Sequence, residues 1–192
     1  MAVEAVVFDV GETLVDETQM WTRAAQNGGV TPFTLMGVLG ALIARGEQHN
    51  EVWSILGIEH PEGTWTLEDW YPDALPCIAR LRAAGYRVCA SGNTPAFVEE
   101  DLRGRVDAVG SSASWGVHKP DPAFFARVVE LAGVDAARIA YVGDRVDNDV
   151  GPAIEAGMVG VHIRRGPWGY LQTPPAAAIR IVSLDELPDV LP

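Results

Sequence analysis

The feature that most constrains the fold is a series of short apolar runs separated by helix-forming segments. The first run, residues 5–8, is followed by Asp9 and by a glycine turn at Gly11. Comparable runs cover residues 86–91, 106–111, 139–142, 159–163 and 179–182. Strands that alternate with helices in this way predict a doubly wound parallel sheet with right-handed crossovers. The sequence therefore predicts an α/β fold.

Residues 16–72 interrupt this alternation. The stretch lacks β-branched strand runs, and apolar residues recur at helical spacing between positions 33 and 43. It also contains four of the six tryptophans, which are Trp21, Trp53, Trp65 and Trp70. We interpret it as a small helical insert with the tryptophans in its core, and its apolar stripe is also able to support a homodimer. The predicted domains are an α/β core of residues 1–15 and 73–192 and a helical unit of residues 16–72.

Composition narrows the partners and the location. The net charge of −12 argues against nucleic acid or an anionic membrane as a partner. Cys77 and Cys89 form no CxxC pair, which is typical of a reduced cytosolic protein. The first ten residues lack the basic segment of a secretory signal, and the most apolar region, residues 33–44, is too short to span a bilayer. We therefore expect a cytoplasmic protein.

Polar residues follow four of the predicted strands. They are Asp9 after the first, Ser91, Gly92 and Asn93 at the second, Lys119 after the third, and Asp144, Asp147 and Asp149 after the fourth. Because the carboxyl ends of parallel strands lie at one edge of a sheet, we expect these groups to converge on one crevice. Carboxylates from two strands suit a hard cation such as Mg²⁺. A lysine and free backbone N–H groups suit phosphate oxygens beside it.

Each of these residues also has a purely structural interpretation. Asp9 alone is compatible with a helix N-cap or a turn. Lys119, the only lysine among 14 basic residues, is compatible with a solvated side chain before a Pro-Asp-Pro turn. Asp147 is expected to face solvent or to cap the following helix.

The order and spacing of the motifs resemble the haloacid dehalogenase (HAD) superfamily of hydrolases, over nearly the whole chain. HKPDP around Lys119 and GDRVDND from Gly143 match two of the family's motifs. The resemblance implies a Rossmann-like core, with a small helical cap inserted after the first strand, and Mg²⁺ as cofactor. It implies metal ligation by Asp9, the Gly11 carbonyl, Asp144 and Asp149, with Asp149 also orienting Lys119. It implies phosphate binding by Ser91, Gly92, Asn93 and Lys119.

The reaction that the resemblance implies is hydrolysis of a small phosphorylated metabolite in two steps. Asp9, the catalytic nucleophile, attacks phosphorus in line to form an aspartyl-phosphate, and water then hydrolyses this intermediate. Mg²⁺ and Lys119, the second catalytic residue, neutralise charge on the transferring group. The chain would thus be a phosphoric monoester hydrolase.

Two positions depart from the family pattern. Phosphatases of the family carry a second Asp two residues after the nucleophile, where it protonates the leaving group and activates water. Here Gly11 occupies that position, and Glu12 is one residue out of register. After the second strand, an ungapped alignment places Gly92 at the usual hydroxyl position, with Ser91 one residue earlier. Because losing a general acid/base costs about 10²–10⁴ in rate, we expect a slow or specialised phosphatase.

The sequence is also compatible with two other functions. The two glycines also fit a catalytically impaired binding or scaffold protein that retains the metal site. A 2-haloacid dehalogenase is less favoured, because it needs no metal and typically carries an aromatic residue where Gly11 stands. Candidate substrate contacts are Trp21, Arg23, Arg45, Arg164 and Arg165, although the Gly-Pro-Trp-Gly segment after the last two also fits a solvated loop.

Overall fold

The fold is centred on a six-stranded parallel sheet, shown by a computed structural model that describes residues 2–59 and 69–192. The strand order is β3-β2-β1-β4-β5-β6. The strands are β1 (Ala5–Phe8), β2 (Arg87–Gly92), β3 (Ala108–Ser111), β4 (Ile139–Gly143), β5 (Val159–Ile163) and β6 (Ile179–Ile181). All six predicted strands are present, and this is the order of a doubly wound sheet whose connections reverse direction next to β1. The predicted fold class is confirmed.

The helices lie in the insert and in the crossovers between strands. They are α1 (Thr18–Asn27), α2 (Pro32–Arg45), α3 (Glu51–Leu56), α4 (Ala74–Ala83), α5 (Phe97–Leu102), α6 (Ser112–Trp115), α7 (Pro122–Ala132), α8 (Gly151–Glu155), α9 (Gly166–Leu171) and α10 (Leu187–Val190). A π-helical turn, Val146–Val150, precedes α8. The N–H groups of Asp149 and Val150 both reach back to the Arg145 carbonyl, at 3.0 and 3.1 Å, which widens the turn.

Helices cover both faces of the sheet. Along β1, Val6 and Phe8 contribute to one buried cluster, whereas Ala5 and Val7 contribute to another. The first cluster is closed by α4, α5 and α10, and the second by α7 and α8. Because a central parallel strand is buried on both sides, it reads as a continuous apolar run, which is why β1 is recognisable in the sequence.

The insert helices α1, α2 and α3 build a separate hydrophobic cluster, which Trp168 of α9 joins. Trp21 stacks on Trp53 with ring centroids 5.8 Å apart. Trp70 instead packs against the cluster of the sheet, so its predicted place in the insert core is wrong. Trp65 lies outside the described residues. The domain boundaries at positions 15 and 73 stay a prediction.

Within the described ranges, no single helix is long and apolar enough to span a membrane. Helices α1 and α2 reach the required length and apolar composition only when counted together, and a bend of 112° separates them.

Candidate active site

Strand register brings the predicted acids to one edge of the sheet. Phe8 pairs with Ala90 of β2 and with Val142 of β4. The next residue, Asp9, donates its backbone N–H to the Val142 carbonyl at 2.8 Å. Asp144 follows β4 at the same edge, so the register of three strands places these two acids at the mouth of a common crevice.

Lys119 lies between two of the acids. Its Nζ is 2.6 Å from Asp9 Oδ1 and 2.5 Å from Asp149 Oδ1, and its side chain is 1% exposed. Burial by itself would lower the pKa of this lysine, but the negative charges of Asp149 and Asp9 outweigh burial and hold the pKa well above its usual value. The lone lysine is therefore a buried, charged group inside the crevice, and its solvated interpretation is wrong.

Asn93 holds the backbone of Lys119. Its Oδ1 accepts the Lys119 N–H at 2.8 Å, and its Nδ2 donates to the Lys119 carbonyl at 3.0 Å. The amide has a second N–H, because a primary amide has two, and Asn93 also lines the cleft. The predicted phosphate contact of Asn93 stays a prediction, and the structure adds a positioning contact that the sequence did not suggest.

Three buried carboxylates, of Asp9, Asp144 and Asp149, each offer an oxygen within 4.8 Å of the others. Asp144 Oδ2 is buried without a hydrogen-bond partner in the part of the chain that the structure describes. Burial, followed by the charges of Asp149 and Asp9, raises the pKa of Asp144 well above its usual range. An all-oxygen, negatively charged set with an unsatisfied buried oxygen fits a hard divalent cation such as Mg²⁺.

Asp149 differs from Asp144 in its partners. Its Oδ1 accepts from Lys119, and its Oδ2 accepts the Arg145 N–H at 3.1 Å. Burial and then the charge of Asp9 raise the pKa of Asp149 to about 6, although the ammonium of Lys119 opposes this shift. Asp147 stands apart and forms a two-point ion pair with Arg145, at 2.8 and 3.1 Å.

The end of β2 approaches Asp9 closely at Gly92. A Cβ atom at this position would lie 2.8 Å from Asp9 Oδ1, so any side chain there would displace the carboxylate. The Ser91 hydroxyl is buried, and none of the described residues accepts or donates a hydrogen bond there. Thr94 lines the crevice, and the sequence analysis missed it although it follows the same strand. Phosphate binding by Ser91 and Gly92 stays a prediction.

The crevice continues into a cleft of about 460 Å³ between the sheet edge and the insert. Its floor contains Asp9, Lys119 and Asp144. Its remaining wall includes the predicted Trp21 and several residues that the sequence analysis missed, among them Met20, His49, Asn50, Arg145 and Trp168. A volume of this size suits a small ligand.

The predicted arginine contacts have protein partners. Arg165 is buried, donates to the Thr13 carbonyl at 2.8 Å and pairs with Asp73. Its segment continues as helix α9, so the solvated loop is wrong. Arg164 lies over a tyrosine ring, Arg45 pairs with Glu47 at 2.8 Å, and Arg23 lies 3.5 Å from Asp69. Their contacts with a substrate stay predictions.

Two further acids stand beside Gly11. Glu12 has a left-handed backbone (φ 51°), and its carboxylate accepts the Glu17 N–H at 3.1 Å and the Tyr71 hydroxyl at 2.6 Å. Glu17 reaches the cleft from the start of α1 and accepts the Trp21 indole N–H at 3.2 Å. Burial, followed by the charge of Glu12, raises the pKa of Glu17 to about 8.

Several curated proteins resemble this chain over part of its length. Glyceraldehyde 3-phosphate phosphatase from Methanopyrus kandleri is 38% identical over 104 residues, which cover 51% of this chain and 45% of the relative. The protein of the same name from Methanocaldococcus jannaschii is 33% identical over 127 residues, covering 63% and 56%. The chain thus spans about half the length of the curated relatives it matches.

Solved structures show the same fold along almost the entire chain. A HAD phosphatase from Thermococcus onnurineus has a TM-score of 0.64 at 22% identity and covers 98% of this chain and 97% of its own. L-2-haloacid dehalogenase from Xanthobacter autotrophicus has a TM-score of 0.69 at 20% identity, with 98% of each chain covered. The family model for haloacid dehalogenase-like hydrolases matches residues 3–157. This chain therefore belongs to the haloacid dehalogenase-like hydrolase family.

Proposed function

We propose that this protein is a Mg²⁺-dependent phosphatase of small phosphorylated metabolites, with Asp9 as its nucleophile. The observation that carries the proposal is the Lys119 ammonium held by Asp9 and Asp149. Beside them lies an Asp144 oxygen that has no partner among the described residues. Buried groups of both signs with shifted pKa values in a cleft are typical of catalytic sites.

In this proposal Lys119 orients the nucleophile. It holds Oδ1 of Asp9 at 2.6 Å, which leaves the second oxygen of the carboxylate to attack phosphorus. The bond from Asp9 to phosphorus forms as the bond to the leaving oxygen breaks, and water then cleaves the aspartyl-phosphate. The ammonium also offers positive charge to the phosphoryl oxygens.

The residues that would hold Mg²⁺ are Asp9, Asp144 and the Gly11 carbonyl. A bound divalent cation would supply charge neutralisation at the phosphoryl oxygens. Because both oxygens of Asp149 already have partners, we assign Asp149 chiefly to the orientation of Lys119.

The substrate class follows from the cleft and from the relatives. The cleft is small, and aromatic rings of Trp21 and Trp168 line it. Two matched relatives carry the name glyceraldehyde 3-phosphate phosphatase, which supports a small phosphorylated metabolite. The homodimer and the cytoplasmic location stay predictions.

Hydrolysis of an aryl phosphate with and without Mg²⁺ tests the proposal. We expect Mg²⁺-dependent turnover that falls to background in Asp9→Asn, which keeps the shape of the side chain but removes the nucleophilic oxygen. Asp189→Asn, an exposed acid remote from the cleft, is the matched control and retains turnover. Absent turnover with intact Mg²⁺ binding would favour the scaffold alternative. Metal-independent turnover of a 2-haloacid would favour the dehalogenase.

A further inference from the structure

None of the site residues predicted from the sequence supplies a proton to the leaving oxygen of the proposed reaction. Position 11, two residues after the nucleophile, is a glycine. The neighbouring acid, Glu12, has both carboxylate oxygens engaged, one by the Glu17 N–H and the other by the Tyr71 hydroxyl. Glu12 therefore stabilises the junction with the insert rather than serving a ligand.

The space that a side chain at position 11 would occupy is filled by Glu17. A Cβ atom built on Gly11 would lie 2.2 Å from Glu17 Oε1 and 2.8 Å from its Cδ. A carboxyl group is thus present beside Gly11, but it comes from the beginning of α1 instead of from the loop after β1. The glycine is what makes room for it.

Glu17 is also held in a defined orientation. Its backbone N–H donates to Glu12, and its Oε2 accepts the indole N–H of Trp21 at 3.2 Å. These two contacts leave Oε1 on the side of Gly11. Glu17 is partly exposed and lines the same cleft as Asp9 and Lys119.

We infer that Glu17 is the general acid/base of this enzyme and replaces the acid missing from position 11, an inference that rests on the proposed phosphatase function. In the first step the bond from phosphorus to the leaving oxygen breaks, and that oxygen takes the proton of Glu17. In the second step the Glu17 carboxylate takes a proton from water as the water oxygen attacks phosphorus. The bond from phosphorus to Asp9 breaks, which frees inorganic phosphate and restores the Asp9 carboxylate, and Glu17 is protonated again.

Glu17→Gln tests this assignment with two substrates of different leaving groups. An alkyl phosphate needs protonation of its leaving oxygen, whereas an aryl phosphate leaves as a stabilised anion. We expect kcat/KM, which reports the first step, to fall about 10²–10⁴-fold for the alkyl phosphate and much less for the aryl phosphate. Glu130→Gln, which changes an exposed acid of α7 outside the cleft lining, is the control and leaves both rates unchanged.

A rescue experiment separates proton transfer from a structural role. Glu17→Ala empties the space beside Gly11, and adding Gly11→Asp then places a carboxyl there from the loop. We expect the double variant to recover at least a tenfold faster alkyl phosphate turnover than Glu17→Ala alone. Equal losses of kcat/KM on both substrates in Glu17→Gln, or no loss at all, would overturn the inference. If the wild-type protein hydrolysed neither substrate, that result would instead overturn the proposed function and the inference with it.

Discussion

The side-chain amide of Asn93 bonds to both the N–H and the carbonyl of Lys119, at 2.8 and 3.0 Å. This pair joins the end of β2 to the segment that carries the lysine. Because Asn93 holds the backbone of Lys119 in one position, fewer conformations of the lysine are available, and its ammonium is held next to Asp9 and Asp149.

Removing the hydrogen bonds from Asn93 should reduce both activity and stability. We expect Asn93→Ala to lower kcat at least tenfold, since the ammonium is no longer held at the nucleophile. Two lost hydrogen bonds should lower the free energy of unfolding by about 1–3 kcal/mol. Aryl phosphate turnover and urea unfolding measure the two effects. Asn27→Ala, an exposed residue at the end of α1, is the control. Unchanged kcat in Asn93→Ala would contradict the positioning role.

Replacing the lysine should expose the repulsion among the acids. In Lys119→Met, Asp9, Asp149 and Asp144 lose their buried cation, and breaking such a pair costs about 3–5 kcal/mol of unfolding free energy. Urea unfolding in a chelator should show this loss, and Mg²⁺ should restore part of it. Equal stability of the variant and the wild type in the chelator would contradict the account.

Mg²⁺ should stabilise the wild-type protein through Asp144. A ligand at about 100 times its Kd adds about 2.7 kcal/mol to the free energy of unfolding. Thermal unfolding should therefore shift upward with Mg²⁺ in the wild type and in Asp189→Asn, but much less in Asp144→Asn. A shift of equal size in Asp144→Asn would place the cation elsewhere.

Gly92 should tolerate no side chain. In Gly92→Ala the new Cβ meets Asp9 Oδ1, so the nucleophile must move, and we expect turnover to fall at least tenfold. Gly37→Ala is the matched control, because a Cβ at that position in α2 meets no atom of the described residues within 4 Å. That control should be more stable by about 0.5–1 kcal/mol. Wild-type turnover in Gly92→Ala would show that the contact with Asp9 is not functional.

Asp73 should make stability depend on pH. Burial by itself would raise its pKa, but hydrogen bonds from Ser183 and Leu184 and the charge of Arg165 lower the pKa below the ordinary 3.8. A carboxylate with a lowered folded-state pKa stabilises the fold above the unfolded-state pKa, and this contribution is lost as pH falls through the folded-state value.

We therefore expect Asp73→Asn to be less stable than the wild type at pH 7, with the difference narrowing below about pH 4 as the unfolded chain binds protons. Urea unfolding at a series of pH values measures the difference. Asp185→Asn serves as the control. It changes an exposed acid whose backbone carbonyl accepts a hydrogen bond from Arg80. A difference that stayed constant down to pH 2 would contradict the assignment.

Much of the α/β core was predictable from sequence because its signals are local. Buried parallel strands read as apolar runs, and a residue that follows a strand must lie at the carboxyl edge. Asp9, Lys119, Asp144 and Asp149 were expected to meet for that reason, and the structure brings them together.

Hydrophobic periodicity cannot reveal which side chains from distant segments pack around the site at the sheet edge. The sequence by itself determined the fold class, the strands and the acids with their lysine, because each depends on short-range pattern and strand polarity. Only the tertiary structure decided that Glu17 fills the space beside Gly11, that Asn93 clamps Lys119, and that Trp168 joins the wall of the cleft. Those contacts depend on how the insert packs over the sheet edge, which is set by three-dimensional complementarity between segments far apart in the chain.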